Sequence, residues 1–131
     1  MTKVIVLGHG GYGTAIRRNI AIVVGTFDDD LRFVDFNEED GLEALQAKLD
    51  EAVASCGKDD ILFCCDIMGG SPFRLAATMC AAAPERMITV TGLNLGAFAE
   101  VVTSLDLSVQ ELADLAMETA KISIGCFPPK A

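Results

Sequence analysis

Short β-branched apolar runs alternate along this chain with longer stretches whose apolar residues recur at three- and four-residue spacing. A strand buried on both faces reads as a continuous apolar run, whereas a helix against a core repeats about every 3.6 residues. Runs at residues 3–7, 31–36, 61–65 and 87–91 therefore predict four strands. Between them, Ile16, Ile20, Val23 and Val24 mark a helix face from Thr14 onward, stopped at Gly25, and Leu42, Leu45, Leu49, Ala52 and Val53 mark a second, closed by Gly57. Ser71 as N-cap and Pro72 at the first helical position open a third helix to about residue 83. Residues 97–105 predict a short helix, and the capping-box pair Ser108 and Glu111 opens a last one with Leu112, Leu115 and Ala116 on its apolar face. Residues 122–127 are short and apolar without a clear period, and Pro128-Pro129 stops whatever they form.

Strands alternating with helices imply an α/β fold of flavodoxin-like type: a four-stranded parallel sheet with helices on both faces. Residues 122–127 are a candidate extra C-terminal edge strand, and the 131 residues, 1–131, fit one such domain. The formal net charge of −9 argues against nucleic acid and anionic lipid as partners and favours a basic protein. No stretch approaches the roughly 18 consecutive apolar residues of a membrane span. Met1-Thr2-Lys3 leads into a strand-like run rather than a signal peptide, so a cytoplasmic location is expected. The five cysteines, Cys56, Cys64, Cys65, Cys80 and Cys126, lack metal-ligand spacing and read as reduced, buried small hydrophobes. Cys64 and Cys65, adjacent in a strand, point to opposite faces.

Sheets of this kind bind ligands at the carboxyl edge of their strands. The loop after the first strand, Gly8-His9-Gly10-Gly11-Tyr12-Gly13, holds the only histidine, and the loop after the third runs from Asp66 to a helix start at Ser71. An imidazole attacks phosphorus only through an unprotonated nitrogen, so its other nitrogen must carry the proton and be held in place. Asp66 is the candidate to hold it and to stabilise the charge that develops on the ring. Glycines flanking His9 leave the ring accessible and let the backbone bend. The backbone N–H groups of the helix start, with the Ser71 hydroxyl, suit an anion, which makes Gly70, Ser71 and Phe73 the candidate phosphate-binding residues. Arg74 is a weaker candidate, because an arginine on a helix surface is more often simply solvated.

On residue type alone each has a bland counterpart: an incidental histidine, a turn-capping aspartate, a serine that merely starts a helix. Their convergence on one edge weighs for chemistry. A rival remains, because the first loop spells G-x-G-x-x-G and Asp35 ends the second strand where a ribose-binding acid would stand. That dinucleotide reading leaves the segment after the third strand unexplained. A non-catalytic anion-binding domain is a further alternative.

Taken together, Gly8-His9-Gly10, Asp66-Ile67-Met68-Gly69-Gly70-Ser71-Pro72-Phe73 and Gly92-Leu93-Asn94-Leu95 resemble the mannose-type enzyme IIA domains of the bacterial phosphoenolpyruvate:sugar phosphotransferase system. The resemblance spans almost the whole chain, and its second segment is the specific one. It implies a phosphotransferase component in sugar transport, with His9 phosphorylated, Asp66 its hydrogen-bonding partner and Ser71 a donor to the phosphate. The histidine-containing phosphocarrier protein would be the donor and a cognate enzyme IIB the acceptor, serving a membrane sugar permease indirectly and without metal or organic cofactor. It also implies a homodimer joined through a C-terminal strand, here residues 122–127, and a cytoplasmic location against the inner face of the membrane through partner subunits. Gly96 departs from the family, whose members often carry proline there, so the rim of the site differs in shape. A variant of the fold donates phosphate to dihydroxyacetone kinase, but Gly69-Gly70-Ser71-Pro72-Phe73 looks more like the sugar-transport branch.

Overall fold

Val4, Ile5, Val6 and Leu7 are wholly buried, as a strand in the middle of a two-faced sheet must be. They belong to β1 (Thr2–His9), which pairs on one side with β2 (Leu31–Phe36) and on the other with β3 (Asp60–Cys65). In the computed structural model, which describes residues 1–130, β4 (Met87–Thr91) completes a sheet of order β2-β1-β3-β4. Every pairing is parallel. The helices are α1 (Tyr12–Val23), α2 (Leu42–Ser55), α3 (Ser71–Ala82), α4 (Leu95–Val102) and α5 (Val109–Ile122).

Side-chain alternation along the strands divides the core in two. Val4, Val6, Leu62 and Cys64 face α1, α4 and α5, where they meet Ile20, Phe98 and Leu112. Ile5, Leu7, Phe63 and Cys65 face α2 and α3 and meet Leu45, Leu49 and Ala76. Cys64 and Cys65 thus lie in opposite layers, as the strand period requires. Burial pushes the Cys64 thiol far up and that of Cys65 up to about 12, so neither offers a thiolate at neutral pH. Two cysteines differ from the expected burial: Cys80 is only partly buried at the edge of the α3 layer, and Cys126 is exposed, since the tail that carries it has no core to enter.

The helix faces depart from the sequence pattern at two residues. Val23 is 53 % exposed because Ile16, Ile20 and Val24, four apart, hold the inward stripe and turn it out. Leu42, 57 % exposed, is the first residue of α2, where a helix has neighbours along one direction only. The expected helix at 97–105 begins earlier, at Leu95, with the Asn94 side chain accepting from Ala97 N (3.0 Å). Gly96 sits within its first turn, where a side chain would find only ordinary contacts.

Residues 123–130 form no strand, so among the described residues the sheet keeps four. Helix α5 runs on to Ile122, so the first residue of the expected strand is already helical and only residues 123–127 remain before Pro128. Ile124 and Phe127 are 80 % and 94 % exposed. Among the described residues no helix is long and apolar enough to cross a membrane.

Candidate active site

Because β1 and β3 are parallel neighbours, their carboxyl ends open side by side. Leu7 stands opposite Cys65, and Asp66 N donates to Leu7 O at 3.2 Å, which brings Asp66 level with the Gly8-His9 turn. Strand order reverses here, with β2 reached on one side of β1 and β3-β4 on the other, so this is the crevice where such sheets take ligands.

The expected pair does meet. Asp66 Oδ2 accepts from His9 N at 2.9 Å and lies 2.8 Å from His9 Nδ1, while Oδ1 accepts from Ile67 N at 2.9 Å. Burial pushes the Asp66 carboxyl up, but the bonds from the His9 amide, the ring and the Ile67 amide outweigh it and hold the group below its ordinary value. The carboxylate is therefore ionised at neutral pH and can only accept, so the proton of the neutral ring sits on Nδ1 and Nε2 keeps its lone pair. Asp40, bonded to Lys48 Nζ (2.6 Å) and Asn37 N (2.9 Å), is likewise lowered. For acids with depressed folded values, stability is present above the unfolded value near 4 and is lost as pH falls through the folded one. Thermal scans between about pH 5 and pH 2 should therefore show a falling melting temperature, and a flat profile would contradict these bonds.

Gly8 permits this approach, since a Cβ there would come within 2.8 Å of Asp66 Cγ and 2.7 Å of Tyr12 Cδ2. The Tyr12 ring packs into the vacated space. Its phenol is pushed up to about 12, mainly by burial, so it stays neutral beside the site. Phe36, which the sequence offered only as a strand residue, also borders the imidazole, with ring centroids 5.8 Å apart at 55°. The edge rule that selected His9 would have found it, because Phe36 ends β2 directly opposite His9.

Four helices, α1 to α4, begin at this edge, and those after β1, β3 and β4 differ in what covers their first N–H groups. Helix α1 has Gly11 at its N-cap and no cap of its own; instead Asp35 reaches across from β2, accepting from Thr14 N (3.1 Å) and from the Thr14 hydroxyl. Helix α4 is capped by Asn94. Helix α3 has no side-chain cap. Its N-cap is Gly70 rather than Ser71, because Arg74 N already bonds to Gly70 O (2.9 Å), so Ser71 opens the helix and Pro72 follows it. Among the described residues the Ser71 and Phe73 N–H groups have no partner, and Pro72 has none to give. Arg74 is exposed and, among the described residues, makes no ion pair.

The Asp35 carboxylate is thus spent on α1, the helix start where the dinucleotide reading would seat a pyrophosphate. Asp35→Ala should lower stability by about 1–2 kcal/mol in urea unfolding, as loss of a helix cap does. An unshifted midpoint would mean that the cap contributes nothing. His9, its side chain 45 % exposed, stands on an open rim. A cavity of about 570 Å3 follows β2 and is lined by Arg32, Asp35, Lys48 and Ser55 among others, without His9. Among the described residues no cluster of three or more acidic, cysteine or histidine side chains is placed to hold a metal ion.

Fold and site define a class: a flavodoxin-like α/β protein that presents a carboxylate-oriented imidazole at the switch point of its sheet. Residues 3–117 match the family described as the PTS system fructose IIA component, EIIA-man. The chain is 32 % identical over 104 residues to the PTS system fructose-specific EIIA component of Bacillus subtilis (strain 168), a match covering 79 % of this chain and 70 % of that protein. It superposes on the mannose/sorbose specific IIA subunit of the phosphotransferase system from Enterococcus faecalis with TM-score 0.88 and 27 % identity, covering 99 % of this chain and 97 % of that one. The phosphotransferase system component EIIA from Streptococcus agalactiae shares the fold at TM-score 0.87 and 22 % identity, with 97 % and 98 % covered. The chain belongs to the EIIA-man family of phosphotransferase-system IIA components, and with that membership comes a phosphoryl-carrier role in sugar uptake.

Proposed function

We propose that His9 is the residue that carries the phosphoryl group, receiving it from the histidine-containing phosphocarrier protein and passing it to a cognate enzyme IIB that serves a membrane sugar permease. The 2.8 Å contact between His9 Nδ1 and Asp66 carries this reading. With the proton parked on Nδ1, the Nε2 lone pair forms the new N–P bond while the donor's N–P bond breaks and the donor ring keeps that electron pair. No proton has to leave His9. The ring becomes positive as the group arrives, and the ionised Asp66 offsets that charge. The Ser71 and Phe73 N–H groups and the Ser71 hydroxyl stand at the positive end of α3 to meet the phosphoryl oxygens. Transfer to enzyme IIB is the same displacement in reverse.

The net charge of −9 suits a protein partner that presents a basic contact face. The open outer edge of β4 and the exposed Ile124 and Phe127 support a homodimer in which the tail of one chain extends the other's sheet. A monomeric mass in solution would refute that arrangement. The cytoplasm, where such a relay runs, is the proposed location. Incubation with phosphoenolpyruvate, enzyme I and the phosphocarrier tests the assignment. One acid-labile phosphoryl group mapping to His9 is expected; no label, or label elsewhere, would overturn it.

A further inference from the structure

Besides Asp66, two neighbours confine the imidazole. A Cβ built on Gly70 would lie 2.8 Å from His9 Cε1 and 3.3 Å from Ile67 Cγ1, so the ring occupies volume that a side chain at residue 70 would fill. Gly70 has φ −73° and ψ 173°, extended backbone that any residue adopts. The position therefore calls for glycine on grounds of space alone. Phe36 is the second neighbour, 5.8 Å from the imidazole between centroids and tilted by 55°, within the range of aromatic contact. Its backbone is locked to the histidine loop as well: Gly10 N donates to Phe36 O at 2.7 Å.

Cε1 is the carbon between the two ring nitrogens. Turning the ring over about its Cβ–Cγ axis would bring Nε2 to the Gly70 contact and a carbon to Asp66. We infer that Gly70, by leaving room for the ring, and Phe36, by packing beside it, are positioning residues that keep the imidazole where Asp66 can hold Nδ1, so that Asp66 selects the flip and Nε2 is left without a protein partner. Gly70 thus acts on the imidazole itself, a task separate from the phosphate binding that its place at the helix start suggests. The consequence for transfer rests on the relay reading; the orientation does not.

His9 is the only histidine, so its two ring nitrogens give unambiguous 15N signals in the unphosphorylated protein. With the ring neutral, the parent should show a protonated Nδ1 and an unprotonated Nε2. Gly70→Ala and Phe36→Leu should both move the two signals toward averaged values, Phe36→Tyr should restore the parent pattern, and Gly11→Ala, whose Cβ meets nothing within 4 Å, should leave it unchanged. At saturating phosphocarrier, Gly70→Ala should slow transfer by about 100-fold, the scale of a small misplacement of a reacting group. Parent-like nitrogen signals in a folded Gly70→Ala or Phe36→Leu variant would overturn the inference, and Phe36→Leu decides it if the alanine variant does not fold. If the parent takes up no phosphate the relay reading falls, while the nitrogen signals still decide the positioning.

Discussion

Replacing His9 by alanine should reduce phosphate uptake from the phosphocarrier to below about one part in 10,000 of the parent rate, the scale on which a lost nucleophile is felt. The fold should survive. The side chain is 45 % exposed and belongs to neither core layer, and the backbone bond from His9 N to Asp66 remains available to alanine. Unfolding in urea should therefore stay within about 1 kcal/mol of the parent. An alanine variant that takes up label at the parent rate would end the relay assignment.

Asp66→Asn should be nearly as damaging, with transfer slowed by about 100- to 10,000-fold, as when an orienting carboxylate becomes an amide in a catalytic triad. The reason lies in the count of acceptors. Asp66 Oδ2 serves two donors at His9 and Oδ1 serves a third at Ile67. Asparagine has one oxygen and one NH2 group, so either rotamer sets a donor against a donor. If the amide turns its NH2 to His9, it draws the lone pair of Nδ1 and moves the ring proton to Nε2, which silences the nucleophile. Labelling rates measured with and without Asp66→Asn, beside a melting curve that confirms folding, check the expectation. An asparagine variant that transfers at the parent rate would show that the carboxylate has no part in orienting the ring.

Much of this site was legible in the linear chain because its logic is local to an edge. The runs at 31–36 and 87–91 coincide with β2 and β4, and the rule that ligands gather at carboxyl ends of strands was enough to pair His9 with Asp66. What escaped were features made through space. Asp35 looked like a ribose acid from its place in the chain, but it caps a helix that belongs to the neighbouring strand's loop. Phe36 read only as a strand residue, although its ring borders that of the histidine 27 positions earlier. The Ser71 cap moved by one residue because Ser-Pro and Gly-Ser are both good openings, and the bond from Arg74 N to Gly70 O chose between them. The tail could not be read at all from a short apolar run, since a helix that continues and a strand that starts share the same residues at Ile122.

With Asp66, Gly70 and Phe36 gathered about the ring, visitors must come to its remaining open side. The protein that loads the imidazole and the protein that empties it then compete for one doorway, and neither can wait at it while the other works. A large excess of unloaded supplier should consequently throttle delivery, because every idle visitor blocks the exit.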